Sequence, residues 1–144
     1  MAISELQTAI NAIQDVILTV SGIRAAPDYA PDNMSHYPFV MTYPNNGIFK
    51  SDTGAGTIRG IHQITVELHV SDNKMPQSLK QIDKYIEAIP KAIMDDPTLG
   101  GAVATIGGDD VEPIAYQYSI FTYAGVQTIG IEFTIQDVKI RSSI

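Results

Sequence analysis

Two short stretches carry the residue types that acid–base or metal chemistry needs. Asp52-Thr53-Gly54-Ala55 sets a carboxylate, the group of acid–base work, inside a Gly-rich loop. Gly107-Gly108-Asp109-Asp110 sets two carboxylates side by side after two glycines, and Gly and Asp are what any tight turn requires. The histidines do not combine. His62 and His69 are seven apart on one strand and project from opposite faces, so they cannot share a metal, and His36 stands in a proline-rich loop without a neighbour at ligand spacing. His62 is expected to be partly buried at a strand end, and His69 to lie on the surface near Glu67. Glu67 and Glu132 sit on different strands whose adjacency the sequence leaves open. No phosphate-loop or nucleophile-elbow motif occurs. The expectation is a protein that is not an enzyme, with no catalytic residue, no metal ligand and no cofactor.

The elements that position these residues are easier to read. His62, Ile64, Val66, Leu68 and Val70 alternate with Gln63, Thr65, Glu67, His69 and Ser71, the period of a strand with one dry and one wet face. Met75, Leu79, Ile82, Ile86, Ile89 and Ile93 then fall on one stripe of a helix, which Pro90 should kink or end near Ala88, while Pro76 suits its first turn. Ile3, Leu6, Ile10, Ile13 and Ile17 form a similar stripe over residues 4–17, opened by the capping box Ser4-x-x-Gln7. Pro27, Pro31 and Pro38 mark a surface loop, and 39–43 reads as a short edge strand closed by Pro44. The Gly-, Asn- and Ser-rich stretch 45–60 carries Ile48, Phe49, Lys50, Ile58 and Arg59. Two readings stand: an exposed arm that meets a partner, or a twisted hairpin whose apolar residues fold back on its own sheet.

The last third is sheet. Ile114, Tyr116, Tyr118 and Ile120 alternate, Ala124-Gly125 turns, and Ile129, Ile131, Phe133 and Ile135 alternate again. Val138 and Ile140 continue on the opposite parity, so a bulge or an end to pairing is expected near Gln136. The sum is one α+β domain over residues 1–144: a four-stranded, mainly antiparallel sheet with two amphipathic helices on one face and a long hairpin arm.

Bulk composition narrows the partners. Nine basic against sixteen acidic residues leave a net charge of −7, and no Lys/Arg run interleaves with aromatics, so adhesive nucleic-acid binding is not expected. The N-terminus lacks the pattern of a signal peptide, and no apolar run approaches the roughly 20 residues that span a bilayer, so no membrane partner is expected. The absence of cysteine excludes disulfides and thiolate chemistry.

Family resemblances enter here. Asp52-Thr53-Gly54-Ala55 resembles, over four residues only, the motif of the retroviral-type aspartic proteases, in which two such aspartates from a dimer share one proton, and Lys50-Ser51 stands where that family has apolar strand residues. Gly107-Gly108-Asp109-Asp110 resembles the metal-binding hairpin of nucleotide cyclases, but the acidic and aromatic continuation of that family is missing at Asp110, Val111 and Glu112. A third resemblance covers nearly the whole chain. The opening helix followed by Val20-Ser21-Gly22-Ile23-Arg24, the Pro38-Phe39-Val40-Met41-Thr42-Tyr43-Pro44 strand, the Gly-rich arm and the hairpin from Tyr116-Gln117-Tyr118 to Ile131-Glu132-Phe133 resemble the tail terminator, or tail completion, proteins of long-tailed bacteriophages.

That resemblance implies a structural virion protein of the tail and neck, assembled in the host cytoplasm. It implies a hexameric homo-oligomeric ring that caps the tail tube, joins it to neck and connector proteins, and leaves an axial channel through which DNA passes without specific binding. Six four-stranded sheets would close a barrel about 50 Å across, with helices outside. Gln63, Thr65, Glu67, His69, Thr128, Glu132, Thr134 and Gln136 would line the bore, a polar face free of Lys and Arg. The arm residues Ile48, Phe49, Lys50, Ile58 and Arg59 would dock on the tube or a neighbouring subunit. The alternatives are another head–tail connector or tail-tube subunit, or the dimeric aspartic protease using Asp52-Thr53-Gly54.

Overall fold

A computed structural model of the chain describes residues 4–23, 38–51, 56–72, 77–107, 112–123 and 125–143. Asp52 to Ala55, His36, Pro76 and Gly108 to Asp110 lie outside them, and with them the protease and cyclase motifs.

Helix α1 spans Glu5–Leu18. Ser4 caps it by accepting from the Gln7 backbone N–H at 3.0 Å, while the Gln7 side chain turns to Asn11 at 2.9 Å. Ala9, Ile10, Ile13 and Ile17 are buried on its inner stripe, and Leu6 packs against them. Helix α2 spans Gln77–Met94 and buries Ile82, Tyr85, Ile89 and Ile93. Pro90 does not end it. The residue forfeits one hydrogen bond, but burial of Ile89 and Ile93 on either side holds the last turn to the core.

Four strands form one antiparallel sheet of order β1-β2-β4-β3: β1 Phe39–Ser51, β2 Thr57–Asp72, β3 Ile114–Tyr123 and β4 Val126–Ser143. Both helices pack on one face, over Val40, Ile64, Val66, Leu68, Val70, Ile131, Phe133 and Ile135, so the architecture is α+β as the periodicities imply. Pro44 lies on the edge strand as expected but does not close it. Pairing with β2 resumes at Asn46 after a register shift, because a residue without an N–H costs nothing on the unpaired side of an edge.

The parity slip at Gln136 is a bulge. His62 pairs with Val138 but Ile64 with Ile135, and Asp137 takes a positive φ of 51° to absorb the extra residue. Beyond the bulge β3 has ended, and Thr105 bridges to Lys139 in its place.

Thr42, on the helix side, keeps its hydroxyl buried without a hydrogen-bond partner among the described residues. Thr42→Val preserves its shape and removes that desolvated group. A gain of about 1 kcal/mol is expected in urea unfolding.

Candidate functional site

The two faces of the sheet differ less than alternation suggests. Opposite the helices, Thr65, Glu67, His69 and Thr128 were expected to be wet, yet all four are buried within the single chain. The correction concerns His69 most, since it is not a surface residue. Register sets it in a cross-strand row with Phe39 on one side and Gly130 on the other. Its ring stacks on Phe39 at 4.4 Å between centroids, and Phe121 tilts against it at 4.4 Å. Gly130 lets β4 approach β2 closely at this row, because a Cβ there would run into the Leu68 carbonyl oxygen of the adjacent strand.

Within this aromatic bracket runs a chain of hydrogen bonds. The Tyr43 hydroxyl donates to Glu67 Oε2, Glu67 Oε1 lies 3.0 Å from His69 Nε2, and His69 Nδ1 lies 2.6 Å from Thr128 Oγ1. An ionised carboxylate can only accept, so in the neutral ring Nε2–H donates to Glu67 and Nδ1 accepts a hydrogen bond from the Thr128 hydroxyl. The order Thr128, His69, Glu67 is that of a nucleophile, a base and an orienting acid. It is closed to substrate: His69 and Thr128 are 0 % exposed, Glu67 is 3 % exposed, and both ring faces are covered. The network therefore ties β1, β2 and β4 together.

Glu67 and Glu132 are direct cross-strand partners, which the sequence left open. Glu132 stays half-buried, with Gln117 Nε2 at 3.4 Å from its carboxylate. Gln63 donates to Asp137 Oδ1 at 2.8 Å and accepts from the Asp137 N–H at 3.2 Å, which pins the bulge. Of the eight expected bore residues, Gln63, Glu132, Thr134 and Gln136 keep partial exposure.

The arm residues lie on a broad extension of the sheet. There β1 and β2 continue together and β4 backs them as far as the Thr57–Ser143 pair, so the arm is three strands wide and does not project alone. Ile48 and Phe49 remain 56 % and 61 % exposed. The Phe49 ring meets His62 edge-on at 5.3 Å, above Gly60. Burial lowers the His62 pKa below 6.5. The folded chain then resists a proton that the unfolded chain accepts, so stability present at neutral pH declines as the pH falls below 6.5. Urea unfolding from neutral pH to about pH 5 should show a shallower decline in His62→Gln than in the parent.

Sequence reading missed the cations. Lys50, Arg59 and Arg141 pair directly across β1, β2 and β4, and Lys139, paired with Ile61, shares their face. The face opposite the helices therefore does carry Lys and Arg, at its far end. The parity change after Ile135 was the available signal, since it puts Lys139 and Arg141 opposite Val138 and Ile140.

Among the described residues no group of three or more His, Cys, Asp or Glu could hold a metal, and no helix is long and apolar enough to cross a membrane. Neither a protein-family model nor a curated protein matches this chain.

Proposed function

We propose that this chain is a structural ring subunit of a bacteriophage tail, a tail terminator that caps the tail tube and joins it to the neck. The observation that carries the reading is strand polarity. Among the described residues the sheet is open at β1 and β3, and with order β1-β2-β4-β3 and every pair antiparallel, these two edges run in opposite directions. A second copy in the same orientation can set its β1 antiparallel to β3, and repetition by a rotation closes a ring. Pairing also removes the hazard of two free edges.

Side chains support the same junction. Tyr116, Tyr118 and Ile120 lie on the helix side of β3 but are more than half exposed, and the Tyr118 hydroxyl reaches α2, where it donates to Asp83 Oδ1 at 3.3 Å. In a ring, helix α1 of the next copy, which rides on its own β1, would cover them. With helices outside, Gln63, Glu132, Thr134 and Gln136 face the bore, and the sealed Tyr43–Glu67–His69–Thr128 layer stiffens its wall. A passage of this kind favours weak attraction, so that DNA moves on.

Mass measurement and negative-stain imaging of the chain, alone and with tail tubes, test the reading. Closed rings at the tube end are expected, with tails of uncontrolled length when the protein is missing. Tube ends without a ring, together with tails of normal length in its absence, would overturn it.

A further inference from the structure

We infer that the far end of the open sheet face is a phosphate-binding site, one that holds a nucleic-acid backbone without reading its sequence. Four of the nine basic residues of a chain with net charge −7 gather there: Lys50, Arg59, Lys139 and Arg141. They come from three strands and are far apart in sequence, so only the pairing register assembles them. Lys50, Arg59 and Arg141 form one row about 10 Å long, two strand spacings, and Lys139 sits about 7 Å along β4 from Arg141. A ligand with several regularly spaced negative charges offsets the repulsion between cations placed directly opposite each other.

A cleft gives the row depth. Arg59, Lys139, Ile140 and Arg141 line a cavity of about 360 Å³ with Ala104 and Thr105, where the Thr105 bridge takes over from β3. That is room for a phosphate group and its attached sugar, with the Arg59 guanidinium fork suited to bidentate contact and Arg141 and Lys139 adding positive charge. One row inward, Ile48 and Ile61 on the same face offer apolar contact to a sugar. Further in, Glu67, Glu132 and Asp137 make the middle of the face acidic, which confines a polyanion to the end of the sheet. A line of cations longer than one phosphate fits a repeating backbone better than a single anion.

The inference does not depend on ring closure. Fluorescence anisotropy of a labelled DNA duplex of about 20 base pairs, titrated with the full chain at about 50 mM salt, tests it, with molecular mass measured on the same samples. Sequence-independent binding is expected in the range of about 10⁻⁴ to 10⁻⁶ M, weakening as salt rises. Arg59→Gln/Arg141→Gln should lower affinity at least tenfold and make the log–log salt slope shallower by about two, while Arg59→Lys/Arg141→Lys retains the slope and Lys84→Gln/Lys91→Gln changes nothing. Matching circular dichroism spectra would keep the comparison among folded proteins. Duplex binding that is absent, or unchanged in Arg59→Gln/Arg141→Gln, overturns the inference. So does capture of polyglutamate or inorganic phosphate without DNA, which would reassign the row to an acidic protein or to a free anion.

Discussion

Gly130→Ala should be the most damaging single substitution outside the helices, costing about 4 kcal/mol, the upper end of what one residue does. The new methyl would meet the Leu68 carbonyl oxygen, a backbone atom of the central strand β2, and cannot be relieved by a rotamer change. Shifting β4 away would also disturb the Leu68–Ile131 and His69–Gly130 pairs and the ring stack above them. For a domain of about this size the loss corresponds to a fall of roughly 10–15 °C in the thermal midpoint, read by circular dichroism. Gly125→Asn is the contrast. Gly125 has a positive φ of 76° but open space around it, and asparagine tolerates that conformation, so a loss below about 1 kcal/mol is expected. Equal effects at the two glycines would mean that β2 and β4 do not pack as closely as described.

The second large effect is expected at His69. His69→Leu removes a ring held between Phe39 and Phe121 and takes a partner from both Glu67 and Thr128, which are buried. A lost hydrogen bond alone costs about 1 kcal/mol, but a buried carboxylate left short of partners raises this to about 3–4 kcal/mol. Non-additivity is the diagnostic. Removing the carboxylate as well, in Glu67→Leu/His69→Leu, should cost less than the sum of the two single substitutions, because the penalty of the single change is the stranded charge. Additive losses in urea unfolding would show that the groups act independently and that the network is not a unit.

Much of the fold is legible in periodicity. Ile10, Ile13 and Ile17, like Ile82, Ile89 and Ile93, could only be inner stripes of helices, and the alternation from His62 to Val70 could only be a strand. The bulge at Gln136 could be placed because one residue out of phase moves every later side chain to the other face. Pro44 does not close its strand because an N–H missing on the unpaired side of an edge has no partner to lose, and Pro90 does not end its helix because burial of Ile89 and Ile93 offsets the lost hydrogen bond; both are set by neighbours in space. Tyr85 escaped notice because its hydroxyl reads as polar while its ring is buried.

The site divides along the same line. Which residues share a strand face follows from the chain itself, since side-chain direction is a local, two-residue property of the backbone. Which residues stand next to each other across strands does not, because register joins positions as distant as Arg59 and Arg141, or Glu67 and Glu132, through pairings that no local pattern specifies. Periodicity and composition suffice for a sheet with helices on one side, a chain without thiols and an acidic total. Strand pairing is what seals His69 between two phenylalanines and brings cations scattered along an acidic chain into one row. Burial and local charge are sums over neighbours in space, and those neighbours exist only once the strands have paired.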